Sequence, residues 1–428
     1  MSTISIITPF GKAHEKYLME AYASLVAQTL TAFEWILVPN GGATLPALIA
    51  QDSRVKTFPL DMAVPPGAAH LPVGLLKRTA CEKASGEIVV ELDADDILLP
   101  TALEKIAARF QDPDIAFAYS NDAYFTDGTW EPYRFGAWFG WKDRPFNYKG
   151  HELVENLNFR PTVHALRHIF WAPDHVRAWR APAYWAIGGH DAGLVSGDDH
   201  DLMCRFYIAH GERGFGPIDE CLYLYRQHSE NTCVKHNGGV QAQTDANYVR
   251  HNRAMVKRWA EDEGLRLIDL GGRFNKWEGY EAVDSTEPAD IVADLNGPWP
   301  FEDGTVGVIK AYHVLEHLAD PVHVMNEAFR VLAPGGWLLA EVPSTDGRGA
   351  FQDPTHRTFW NENSFWYYTD ERYARFIRPA FNGRFQVSRM TTWYPDDFCR
   401  DHKILFTQAD MIALKEPYAS ERAGEILI

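Results

Sequence analysis

Cysteine is scarce in this chain: five in 428 residues, at Cys81, Cys204, Cys221, Cys233 and Cys399, with no C-x-x-C spacing. An odd, dispersed set excludes a disulfide framework and a cysteine zinc site, and it suits reduced thiols in a cytoplasmic setting. Long apolar runs are missing too. No stretch reaches the roughly 20 residues of a membrane span, and Ile4-Ser-Ile-Ile7 is too short, and lacks the basic flanks, for a secretion signal. Basic residues are outnumbered 41 to 58, giving a net charge of −17. That balance argues against nucleic acid or an anionic membrane as general partner, although a local basic groove is compatible with it. The remainder, 46% hydrophobic and 23% charged, is a globular composition with room for two or three cores.

What is present is a strand-helix rhythm, played twice. Ile4 to Ile7, Glu34 to Val38, Val55 to Phe58, Ile88 to Leu92 and Ile115 to Ser120 read as strands, with helical spacing over Tyr17 to Leu30 and Leu75 to Ala84. Alternation of this kind predicts a parallel sheet whose ligand lies beyond the carboxyl ends of its strands. Between Asp122 and Tyr184 the rhythm fades and tryptophan crowds in, at Trp130, Trp138, Trp141, Trp171 and Trp179. That segment reads as irregular structure packed on the sheet, its rings serving as core or as a platform for a sugar or base. A polar helix follows over Asp245 to Glu263. A second series then begins, with strands at Leu265 to Leu270, Tyr280 to Val283, Ile291 to Ala293, Val306 to Ala311 and Trp337 to Val342, and a helix at Pro321 to Leu332. The expected division is residues 1–240, a helical linker over 241–262, and residues 263–428.

One stretch concentrates chemistry. In Glu91-Leu-Asp-Ala-Asp-Asp-Ile-Leu-Leu-Pro100 an apolar strand ends in Asp93, Asp95 and Asp96. Carboxylates crowded on a strand tip repel one another unless a cation offsets them, and their hard oxygens suit Mg²⁺ or Mn²⁺ holding a substrate phosphate. The competing reading is a polar turn in which Asp96 caps the helix beginning near Pro100.

Five motifs in order, Ile6-Ile-Thr-Pro9, Val38-Pro-Asn-Gly-Gly42, Lys77-Arg-Thr-Ala-Cys-Glu-Lys-Ala-Ser-Gly86, Leu92-Asp-Ala-Asp-Asp96 and Gly188-Gly-His-Asp191 leading to Gly197-Asp-Asp-His-Asp-Leu202, precede Tyr225-Arg-Gln-His228. Together they resemble the inverting family-two glycosyltransferases of the GT-A fold, over residues 3 to 235. The resemblance implies a nucleotide-sugar donor, UDP-linked by preference, and a glycan or small-molecule acceptor. It places the metal ion at Asp95 with His228 as a further contact, the donor ribose at Asp93, and the catalytic base at Asp199. Thr8, Pro9, Asn40 and Ala94 would line the donor, and Lys77 and Arg78 would face its phosphates. Asn40 stands where the family has aspartate on the base, and an amide both accepts and donates.

A second resemblance covers residues 265 to 345. Leu267-Ile-Asp-Leu-Gly-Gly272, Val283-Asp284, Ala293-Asp294, Ala311-Tyr-His-Val-Leu-Glu-His-Leu318 and Val331-Leu-Ala-Pro-Gly-Gly336 resemble class I S-adenosylmethionine-dependent methyltransferases. Asp269 and Gly271 would then line the methionine end of the cofactor, Asp284 the ribose, Asp294 the adenine edge and His313 the cleft. Arg273 falls where the family's glycine turn needs a residue without a side chain, which sets an active domain against a degenerate one. His313-Val-Leu-Glu-His317 also spells H-x-x-E-H, but it follows a strand instead of lying within one long helix, so the protease reading is set aside. Asp353-Pro-Thr-His356 and the aromatic run from Phe359 to Tyr368 read as a lid or as packing.

The expected fold class is thus α/β: an N-terminal GT-A, Rossmann-like domain and a C-terminal Rossmann-like methyltransferase domain. Two other classes stay open, a non-catalytic carbohydrate- or nucleotide-binding protein and a glycosyltransferase of modified DNA bases.

Overall fold

A computed structural model describes residues 3–64, 70–136, 140–168 and 173–416; Trp138 and Trp171 lie outside them. The chain forms two compact units, Met1–Met255 and Val256–Ile426, and the division falls inside the helix Asn237–Asp262.

The strands of the first unit are β1 (Ile4–Phe10), β2 (Phe33–Pro39), β3 (Val55–Thr57), β4 (Ile88–Glu91), β5 (Ile97–Leu98), β6 (Phe117–Thr126), β7 (Lys142–Tyr148), β8 (His151–Leu157), β9 (Arg177–Arg180) and β10 (Phe215–Gln227). They form one sheet in the order β3-β2-β1-β4-β9-β6-β10-β5, with β8 pairing β6 and β7 pairing β8. Its β3-β2-β1-β4 half is parallel, as the rhythm predicts. The other half is mixed, because β9 runs antiparallel to both β4 and β6. The stretch after Asp122 is more regular than expected: β7 and β8 make an antiparallel hairpin. The signal was weak because β7 alternates between exposed and half-buried positions and buries no apolar face. Trp179 is fully buried and Trp141 nearly so, while Trp130 stacks on Phe125 at 4.3 Å and on His151 at 4.5 Å.

The parallel half is buried on both faces, so β1, β2 and β4 are almost continuously apolar. Ile4, Ile6, Trp35, Leu37, Ile88 and Val90 pack with Leu18, Leu25, Leu103 and Ile106 from the flanking helices. One polar residue inside this core has a defined task. The buried Thr8 hydroxyl donates to the Leu92 carbonyl at 2.7 Å and accepts the Trp35 indole N–H at 2.8 Å, fixing where the chain leaves β4.

In the second unit β11 (Arg266–Leu270), β12 (Glu281–Asp284), β13 (Ile291–Val292), β14 (Val306–Tyr312), β15 (Leu332–Pro343), β16 (Phe385–Trp393) and β17 (Phe406–Ala413) follow the order β13-β12-β11-β14-β15-β17-β16. The first five are parallel and β17 and β16 close the edge antiparallel. The core gathers Ile268, Val283, Ile309, Leu338, Met325 and Phe365.

Replacing Thr8 with valine keeps the shape but strands the Trp35 N–H and the Leu92 carbonyl. A loss of about 1–3 kcal/mol is expected, read as a lower urea midpoint for the full-length chain.

Candidate active site

Strand β4 delivers Asp93, Asp95 and Asp96 onto one turn at the carboxyl edge of the first sheet, and each meets a different environment. Asp96 is fully buried: its carboxylate accepts the Tyr223 hydroxyl at 2.8 Å and the Arg226 backbone N–H at 2.7 Å. Those bonds correct the helix-cap reading; Thr101 precedes the helix Ala102–Arg109, and Asp96 ties the turn to β10 instead. Burial, with Asp95 and Asp93 close by, pushes its carboxyl well above the usual range. Tyr223 completes the clamp by accepting the Asp93 backbone N–H at 3.1 Å.

Asp95 is the aspartate left for chemistry. Its carboxylate meets His228 Nε2 at 2.8 Å, with His14 Nε2 at 4.0 Å. The Glu230 backbone N–H donates to His228 Nδ1 at 3.1 Å, so the ring proton sits on Nε2 and points at Asp95. Tyr17 stacks on the same imidazole at 5.1 Å. Below them Arg226 donates to the Asp95 carbonyl at 2.7 Å and to Asp127 at 2.8 Å, and it also pairs with Glu20. The expected pair of Asp95 and His228 is therefore together, while His14 had no motif to announce it. Asp93, Asp96 and His175 also gather their ligand atoms within 4.8 Å. Both Asp96 oxygens are already engaged, which favours Asp95 and His228 as the place for a cation. Asp93 is pushed up to about 7, chiefly by burial, with Lys77 opposing and Glu91 and Asp95 adding to the rise.

Asp199 is the second residue of the helix Asp198–His210, whose approach turns on Gly197 at φ 67°. Its side chain is 24% exposed and pairs with Arg177 at 3.0 Å. Burial raises its carboxyl, but Arg177 first and Lys77 next outweigh that and hold it below the ordinary value. Arg177, from β9, also reaches Glu91 and Asp174 at 3.5 Å. It escaped the sequence reading because it lies in the segment where periodicity fades. Lys77 is buried against Glu91 at 2.6 Å and Asp198 at 3.3 Å, so it forms the floor of the site instead of an open phosphate contact. Arg78 likewise donates to the carbonyls of Gly188 at 2.5 Å and His190 at 3.1 Å, bracing the loop that leads to Asp199. Lys77 and Arg177 each act electrostatically on both Asp93 and Asp199, which places the two acids on one charged edge.

At the neighbouring strand end, Asn40 Nδ2 donates to the Phe10 carbonyl at 2.9 Å. That bond orients the amide, and among the described residues no hydrogen bond engages its Oδ1. Thr8 is internal, as described above, and Ala94 is buried in the turn.

In the second unit, β11 leads into Gly271, which has φ 72° and whose missing Cβ would meet Val314 at 3.1 Å. Asp269 is fully buried, and its Oδ2 accepts Lys310 Nζ at 2.8 Å and the Trp277 N–H at 3.0 Å, so it braces the glycine turn. A side chain at Gly272 would strike the Asp269 carboxylate at 2.5 Å. Asp284 is half-buried at the tip of β12, and Asp294 is exposed after β13, bonded to Asn296. His313, at φ 55° beyond β14, pairs with Glu341 at 3.2 Å. Arg273 crosses from the glycine turn to the hydroxyl of Thr286, two residues past Asp284.

Comparison with known proteins agrees with this division. Residues 5–171 match the Glycosyl transferase family 2 model, and residues 269–340 match the Methyltransferase domain model. The chain is 25% identical over 259 residues to the O-antigen biosynthesis protein RfbC of Myxococcus xanthus, covering 57% of this chain and 17% of that protein. It is 22% identical over 238 residues to the O-antigen biosynthesis glycosyltransferase WbnJ of Escherichia coli, covering 54% of this chain and 82% of the relative. The crystal structure of S. aureus TarS 1-349 in complex with UDP-GlcNAc shares 15% identity with a TM-score of 0.42, covering 60% of this chain and 71% of that one. This chain thus carries a family 2 glycosyltransferase domain followed by a methyltransferase domain.

Asp199 adds stability above about pH 4, where an unfolded aspartate ionises, and that contribution is lost as pH falls through its depressed folded value. Arg177→Met removes the cation shared by Asp199, Glu91 and Asp174. Its expected cost is about 3–5 kcal/mol, together with an upward move of the Asp199 titration in a carboxyl-carbon NMR series.

Proposed function

We propose that the first unit transfers a sugar from a nucleotide diphosphate donor to an acceptor hydroxyl with inversion at the anomeric carbon. The observation that carries this reading is a partly open Asp199, held ionised by Arg177 and Lys77, the same two cations that act on Asp93 in the turn that carries Asp95. The glycosyltransferase named among the relatives supports it. The donor set of one carboxylate and one imidazole suits Mn²⁺ or Mg²⁺, which when bound would neutralise charge on the departing diphosphate. Asp95 and His228 would hold it, His228 giving up the proton that Nε2 now donates to Asp95. Asn40 offers an oxygen acceptor to the base, which fits the N3–H of uracil, so a UDP-sugar is the preferred donor. Asp93 accepts from the ribose hydroxyls. Asp199 takes the acceptor's proton as the new C–O bond forms and the bond to the diphosphate oxygen breaks, the leaving group keeping the electron pair. Its depressed pKa keeps the base ionised at neutral pH, and proton transfer is driven by the rising acidity of the bonded hydroxyl. The acceptor is a glycan or small molecule, and the site of action is cytoplasmic.

In the second unit, S-adenosylmethionine fits Gly271, whose backbone is bare, and Asp284, which offers its carboxylate to a ribose diol. Arg273 does not fit as it stands: a bulky cation follows the glycine turn, and its guanidinium is bonded to the Thr286 hydroxyl, two residues past Asp284.

Asp199→Asn should lower transfer by roughly 10²–10⁴-fold while nucleotide-sugar binding persists. Asp95→Asn should instead abolish the Mn²⁺-dependent thermal shift given by UDP. Retained turnover in Asp199→Asn would sink the assignment of the base. Arg273→Gly is expected to tighten S-adenosylmethionine in calorimetric titration, because the bridge to Thr286 no longer has to open.

A further inference from the structure

The H-x-x-E-H stretch contributes to a different arrangement from the one its spelling suggests. Glu316 and His317 sit in a short helical turn just after β14, and the loop carrying Asp353-Pro-Thr-His356 folds back over them. One ligand atom from each of Glu316, His317 and His356 lies within 4.8 Å of the other two. The His317 and His356 rings are 5.0 Å apart.

Three observations distinguish this cluster from polar packing. Glu316 is 2% exposed, and its Oε2 is buried with no hydrogen-bond partner, an arrangement that costs about 1–3 kcal/mol unless something else satisfies it. Both imidazoles are oriented from behind. His356 Nδ1 faces the Ala350 carbonyl at 2.8 Å, and His317 Nδ1 faces the Thr355 hydroxyl at 3.1 Å and its carbonyl at 3.4 Å. Among the described residues no hydrogen bond engages Nε2 of either ring. A histidine fixed through Nδ1 with Nε2 open is the usual preparation of a metal ligand. The loop itself is anchored to this spot, since the Arg357 and Thr358 backbone N–H groups donate to the Glu316 carbonyl at 2.8 and 3.0 Å.

We propose that Glu316, His317 and His356 bind a divalent transition-metal ion, with zinc as the natural probe. Two imidazoles and one carboxylate make up the ligand set of an open site, in which the remaining positions take water or oxygen atoms of a substrate. Glu316 Oε1 also lies 3.9 Å from His313 Nδ1, so the ion would sit beside the residue that marks the methyltransferase cleft. The proposal concerns the second unit alone and is independent of the glycosyl-transfer reading.

The test is zinc binding to the full-length chain by equilibrium dialysis with elemental analysis. The wild-type chain should hold one zinc ion that survives Asp95→Asn, which removes the other cation site. His356→Ala and Glu316→Gln should each weaken that zinc by at least roughly a hundredfold. His356 is partly exposed and tolerates truncation; should Glu316→Gln misfold, cobalt absorption bands of the wild-type chain, lost in His356→Ala, provide the same reading. Absence of bound zinc in the wild type, or unchanged affinity in His356→Ala, would overturn the proposal.

Discussion

The first unit depends on two buried cations set among acids at the carboxyl edge of its sheet. Lys77 and Arg177 share Glu91; Lys77 continues to Asp198, and Arg177 to Asp174 and Asp199. Either set alone would be untenable, since an unpaired buried charge costs several kcal/mol. Together they weld three separate parts of the chain: the helix Val73–Lys83, the β4 and β9 pair, and the helix that begins at Asp198. The base is therefore positioned by the same ion network that allows the acidic turn to exist. Asp198, pushed up to about 6 by burial against the pull of Lys77, shows how finely this charge is balanced.

The second unit solves a smaller version of the problem in the same way. Asp269 is buried beneath a glycine turn, and Lys310 from the adjacent strand meets it at 2.8 Å. The pair keeps the turn close to the sheet, and Gly272 has no side chain because the Asp269 carboxylate occupies that space. An acid at the end of a first strand reads equally well as a cofactor contact or as an internal brace. The bracing partner, Lys310, comes forty-one residues later, where no local spacing announces it.

Legibility from sequence followed the same line. The parallel strands were readable because burial on both faces leaves uninterrupted apolar runs, as in Ile4–Ile7 and Ile88–Val90. Strands β16 and β17 were missed because their alternation is broken by polar residues such as Gln386, Ser388, Thr407 and Asp410, all of which are buried. At the candidate site, motif order brought Asp95, His228 and Asp199 forward. It gave no hint of Arg177 or His14, whose proximity comes from strand order and not from spacing. It also assigned Lys77 and Arg78 by type, whereas their neighbours commit them to carboxylates and carbonyls.

The acidic turn shows why residue type alone underdetermines role. Asp93, Asp95 and Asp96 share a backbone within four residues, yet their surroundings divide the work. Asp96 spends both oxygens on Tyr223 and Arg226 and becomes structure. Asp93 lies between Lys77 and two other acids, so it is poised near neutrality and offers an acceptor without a fixed full charge. Asp95 faces two imidazoles, while its own carbonyl is held from below by Arg226. The clamp explains the chemistry: because Asp96 and the Asp95 carbonyl are tied down, the Asp95 carboxylate cannot retreat from its neighbours' repulsion. A turn with three free aspartates would relax by swinging apart. One fixed at two points keeps the charge where a cation can lower its energy.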